Sequence, residues 1–117
     1  MERERFVRLV EQVLDSLPAR FRERIHNLAV LVEDRPPKNL ARRDGRRGLV
    51  LGIFQGVPAT QKSVFDLSSG PNRIVLYQEN IEAVCRNDAE IRHEVRQTVL
   101  HELGHYFGMD EEQLKDV

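Results

Sequence analysis

Near its C-terminal end the chain reads TVLHELGHYFGMDEEQ, and the spacing of His101, Glu102 and His105 within that stretch constrains the fold more than any other feature. In an α-helix successive residues turn by about 100°, so positions 101 and 105 lie about 40° apart and one turn along the axis. Both imidazoles then reach one ion, and neutral imidazole nitrogen suits zinc. Glu102 projects to the side of the pair, where its carboxylate serves as general base towards water and as general acid towards a leaving amine. The chain therefore has to supply a long helix here. Thr98 and Glu94 continue the polar stripe backwards on the same face, while Ile91, Val95, Leu100, Leu103 and Phe107 provide apolar packing elsewhere on it. Asn87 or Asp88 is suited to cap its start, and Gly108 to end it.

A catalytic zinc takes three protein ligands and keeps a fourth position open. Two histidines leave one ligand to find. Gly108 falls where a helix can end in a left-handed conformation that a side chain would resist, and the chain beyond it returns Asp110, Glu111 and Glu112 towards the metal. Each offers a carboxylate oxygen, and the spacing alone leaves all three open.

The rest of the chain must build a core that presents this helix. With 117 residues, 1–117 is expected to form one domain without a separate recognition module. From Glu2 to Ser16 the apolar residues Phe6, Leu9, Val10, Val13 and Leu14, with Leu17 beyond, recur at three and four, one buried face of a helix. Pro18 interrupts it and opens a shorter helix in PARFRERIHN. LAVLVED reads as a strand, Leu49–Phe54 as a second with Gly52 inside it, and Arg73–Gln78 as a third. Gly52 marks a bulge or the close approach of another backbone. A short helix in ENIEAVC precedes the long one. The order of elements specifies an α+β fold, helices covering a small sheet of about three to four strands.

Composition narrows the functional classes. A chain 40% hydrophobic and 32% charged, with a net charge of −1, is globular rather than disordered and gives no reason to expect nucleic acid as partner. Arginines crowd the first helix and the segment RPPKNLARRDGRR, where local positive potential would attract an acidic partner if it were not simply a solvated loop. Cys85 is the single cysteine and cannot form an internal disulfide; it reads as a small buried apolar residue. The N-terminal stretch lacks the apolar run of a signal peptide and no segment reaches membrane-spanning length, so a cytoplasmic protein is expected. His26 and His93 have no partner at ligand spacing; either tyrosine hydroxyl, of Tyr106 or Tyr77, could donate to an oxyanion, but Tyr106 points about 100° away from the ligand next to it and reads as a packing residue, and neither is assigned to the site.

The motif and its flanks also carry a resemblance. His-Glu-x-x-His-x-x-Gly followed by a ligand three residues later resembles the metzincin arrangement of zinc proteases, which places the third ligand at Glu111, with Asp110 as the alternative. The chain as given leaves no room for a Met-turn, so a complete metzincin is not expected. A wider similarity spans VLVEDRPP, LGIFQGVP, RIVLYQENIEAVCRN and EVRQTVLHELGHYFGMDEEQL, which resemble the small bacterial zincin-like family of metallopeptidases. It implies a minimal zincin-like fold with an edge strand beside the active-site helix, zinc held by His101 and His105, Glu102 as catalytic base, and peptide-bond hydrolysis.

On that fold an extended peptide would add as a strand to the sheet edge, for which LGIFQGVP is the candidate; Gly52 and Gly56 would admit a backbone, and Pro58 would stop the edge from aggregating. So small a chain has little left to wall a cleft, and low or narrow activity is expected. The other reading is a non-catalytic zincin-like module that binds a partner protein, its metal structural or absent. Two histidines with carboxylates, and no cysteine set, favour the catalytic type.

Overall fold

A computed structural model describes residues 1–25, 28–38, 49–56 and 72–107. The elements in chain order are α1 (Arg3–Asp15), α2 (Ala19–Ile25), β1 (Ala29–Glu33), β2 (Gly52–Gln55), β3 (Arg73–Tyr77), α3 (Gln78–Ala83) and α4 (Asp88–Tyr106). The α+β order read from the sequence is the observed one. In α1 the residues at three-and-four spacing, Phe6, Leu9, Val10 and Val13, are buried, and Leu17 before Pro18 and Phe21 after it continue the same core.

The three strands are ordered β1-β3-β2. β1 runs parallel to β3 with Leu31 opposite Val75, and β2 runs antiparallel to it with Ile53 opposite Val75. Being central, β3 is buried on both faces, which is why RIVLY reads as a continuous apolar run rather than an alternating one. Ile74 and Leu76 join α1 and α4 in the main core; Val75 and Tyr77 form a second cluster with Val50 and Ile53. β1 alternates half-buried Val30 and Val32 with exposed Ala29, Leu31 and Glu33.

Two boundaries differ from the sequence reading. The second strand is expected from Leu49 but runs from Gly52: the carbonyl of Leu51 still accepts from Tyr77 N of β3 (2.9 Å), whereas that of Val50 accepts from Asn80 Nδ2 of α3 (2.8 Å) instead of from a strand. Gln78, expected to close the third strand, opens α3 instead. Its buried side chain accepts from Arg3 Nε (2.9 Å) and donates to the Met1 carbonyl (2.7 Å).

Arg3 also donates to the carbonyl of Val32 (2.7 Å) and pairs with Asp34, so the start of α1 is tied to the end of β1. Arg5 pairs with Asp88 at the start of α4, and Arg35 Nε with Glu79 at 2.9 Å. These arginines, candidates for attracting an acidic partner on sequence alone, have partners within the chain. As exposed pairs each contributes about 0.2–1 kcal/mol at most. Residues 39–48 of the arginine-rich segment lie outside the described residues. Among the described residues no helix is long and apolar enough to cross a membrane.

Tyr77 has a measurable consequence. Burial raises its phenol above the ordinary value of 10.0, and the charge of Glu33, its partner on β1, raises it further. The folded state thus keeps a proton that the unfolded chain releases at about pH 10. The associated stability is complete below that pH and is lost as pH rises towards the folded value. Urea unfolding between pH 9 and pH 11 should show a smaller alkaline decline for Tyr77→Phe than for the wild type.

Candidate metal centre

The site is built on α4, and the start of that helix explains its position. Asn87 Oδ1 accepts from Glu90 N (2.9 Å), which satisfies a donor that the first turn leaves open, and Glu90 Oε1 accepts from Arg86 N (3.0 Å), just before the cap. Of the two caps the sequence allowed, Asn87 is the one used. Ile91, Val95, Val99, Leu100 and Leu103 are buried against α1 and the sheet.

Along the polar stripe exposure increases towards the C-terminal end. Glu94 is 7% exposed and Thr98 half-buried. The side chain of Glu102 is 17% exposed and that of His105 53%. The stripe is therefore enclosed at one end and open at the other, where the histidines stand. Their rings meet edge to face, centroids 4.4 Å apart and planes at 68°. Glu102 Oε2 lies 4.0 Å from His105 Nδ1, beyond hydrogen-bond length, so the carboxylate stands beside the imidazole pair without being bonded to that nitrogen. Two imidazole donors on one helical face with a partly enclosed carboxylate fit the donor chemistry of zinc.

The described residues bring together His101, Glu102 and His105. Gly108, Asp110, Glu111 and Glu112 lie outside them, and among the described residues no set of three His, Cys, Asp or Glu side chains is arranged to hold a metal ion by itself. His93 is exposed on α4, Cys85 is half-buried, and His26 lies outside the described residues.

β2 stands beside this helix, at the edge of the sheet among the described residues. A Cβ on Gly52 would come within 2.8 Å of Thr98 Cγ2 and 2.9 Å of the Val75 carbonyl oxygen. Close approach is observed at Gly52, but what comes from outside the sheet is a side chain, Thr98 of α4, rather than another backbone. At Gly56, where φ is +140°, a Cβ would stand 2.1 Å from Asn72 Oδ1. The space beside each glycine, where a Cβ would stand, is filled from within the chain, so both glycines serve internal packing. Pro58 lies outside the described residues.

Past the histidines, the ring of Tyr106 lies 4.8 Å from that of Phe54 on β2 and 4.7 Å from Phe107. Its hydroxyl accepts from Asn72 Nδ2 at 3.2 Å. Packing was the expectation for Tyr106, and it packs. The bond to Asn72 has no local signal in the sequence, since nothing there pairs position 72 with position 106.

These features define a small α+β protein whose longest helix carries paired histidines and a carboxylate beside an edge strand. The sequence pattern of the zincin-like metallopeptidases matches residues 25–117, and the chain belongs to that family. It is similar to a solved structure described as a conserved hypothetical protein from Thermo thermophilus, with 28% identity and a TM-score of 0.58, over 92% of this chain and 94% of that one. No curated protein matches the sequence.

The contact at Gly52 is testable in isolation. Gly52→Val should destabilise the fold by about 2 kcal/mol, since a side chain must displace both Thr98 and the backbone of β3. Thr98→Ala removes one of the two obstacles. In urea unfolding the double variant should therefore lose less than the sum of the single losses.

Proposed function

We propose that this protein is a zinc-dependent peptidase in which His101 and His105 hold the metal with a carboxylate from beyond Gly108, Glu111 first and Asp110 as the alternative. The observation that carries the reading is the edge-to-face meeting of the two imidazoles with the Glu102 carboxylate beside them, in a member of the zincin-like metallopeptidase family. When bound, zinc supplies a Lewis acid that acidifies water and polarises a carbonyl.

The chain's own residues perform the remaining steps. Glu102, with its side chain 17% exposed, is enclosed enough to hold a water molecule in place yet open to solvent that replaces it. Its carboxylate takes one proton from that water as the oxygen attacks the scissile carbonyl, then delivers it to the leaving amine. The substrate is an extended peptide added to β2, whose backbone ladder would orient the scissile bond across the open end of the α4 stripe. The setting we propose is the cytoplasm, where a lone thiol such as Cys85 stays reduced.

The test is zinc content and affinity of the purified protein at neutral pH, followed by a peptide library. We expect one zinc per chain, an affinity loss exceeding about a hundredfold in His101→Ala, and a clear loss in Glu111→Ala. Glu102→Gln should keep the metal and the fold while hydrolysis falls by about 10²- to 10⁴-fold. Absence of binding at micromolar free zinc would overturn the hydrolase reading and favour a zincin-shaped binding module. Hydrolysis undiminished in Glu102→Gln would remove Glu102 from the catalytic role.

A further inference from the structure

His105 stands in the last turn of α4, with its side chain 53% exposed. Helix ends fray, because their final carbonyls lack partners in the helix, and a ligand placed there inherits that freedom unless something outside the helix restrains it. A metal site tolerates displacements of only about 0.5 Å.

The neighbouring residue supplies a restraint. Tyr106 leaves the helix about 100° round from His105, towards the sheet. Its ring packs on Phe54 of β2 and its hydroxyl accepts from Asn72 Nδ2. Asn72 is itself 4% exposed and held by the strands around it. Its carbonyl accepts from Ala29 N (3.2 Å) at the start of β1, and its Oδ1 occupies the space beside Gly56 at the end of β2. One buried amide thus joins both outer strands to the turn of helix that carries His105.

We infer that Asn72 and Tyr106 are positioning residues of the metal centre, a clamp that sets where His105 stands relative to His101 and to β2. Neither touches the metal; they act through the backbone of the last turn. This rests on the zinc-site reading above and extends it to residues outside the His-Glu-x-x-His motif. It also explains the use of a buried amide here. Asn72 donates to the phenol while its oxygen fits against a glycine backbone, a pairing that an apolar residue of similar size could not make.

The experiment titrates the full-length protein with cobalt(II), reading affinity and the visible d–d bands, and measures zinc affinity by competition with a chromophoric chelator. The proteins are the wild type, Tyr106→Phe, Asn72→Ala, the double variant and Asn87→Ala. The last loses a cap at the far end of the same helix and controls for general destabilisation. Tyr106→Phe and Asn72→Ala should each weaken binding about tenfold and shift the cobalt bands, as loss of supporting residues around a metal does. The double variant should be no weaker than the worse single one, since both remove one bond. Asn87→Ala should bind as the wild type does. Wild-type affinity and spectrum in Tyr106→Phe would overturn the positioning role, as would an equal effect in Asn87→Ala. Tyr106→Phe alone decides the matter if Asn72→Ala does not fold. Failure of the wild type to bind either metal would overturn the zinc-site reading and the clamp with it, an outcome distinct from binding that the variants leave unchanged.

Discussion

The approach of α4 to β2 at Gly52 and Thr98 sets the geometry on which the candidate site depends. A helix that bears a polar stripe along one face and buries the rest can lie against a sheet only where the strand beneath offers room, and Gly52 offers it by lacking a side chain. Close contact there, together with Tyr106 on Phe54, brings the C-terminal turns of α4 that carry His101, Glu102 and His105 beside the edge strand. A bulkier residue at position 52 would lift the helix and alter that border before it altered the motif.

What holds the helix in place comes from several directions. Its apolar residues share one core with α1, whose first turn is fastened to β1 and α3 through Arg3, Gln78 and Asp34. Its N-terminus is capped by Asn87 and paired through Asp88 to Arg5. Its C-terminal turn is joined to the sheet through Tyr106 and Asn72. The buried bonds matter more than the exposed pairs here, because an unsatisfied buried amide costs about 1–3 kcal/mol whereas an exposed ion pair contributes less than about 1.

The gradient of exposure along α4 joins this packing to chemistry. At Glu94 the polar stripe is almost closed; at His105 more than half of the side chain meets solvent. Between them Glu102 is partly enclosed, a placement suited to a carboxylate that must orient water and exchange a proton with it. A small sheet and one long helix suffice to create that gradient.

The residues legible in the sequence are those whose meaning is local. The periodicity of α1, the cap at Asn87, and the placing of His101 and His105 on one face follow from about 3.6 residues per helical turn and need no distant partner. The α+β order, and β3 as an apolar run, were readable for the same reason. Tertiary structure alone decided the strand order β1-β3-β2, the parallel pairing of β1 with β3, and Thr98 as the neighbour of Gly52. It alone paired Arg3 with Asp34 and Asn72 with Tyr106. Each of these joins positions far apart along the chain, and no local rule selects among the many partners available. The side chains of the motif were set by sequence because a helix repeats itself; their surroundings were set by the fold because packing is a property of the whole chain.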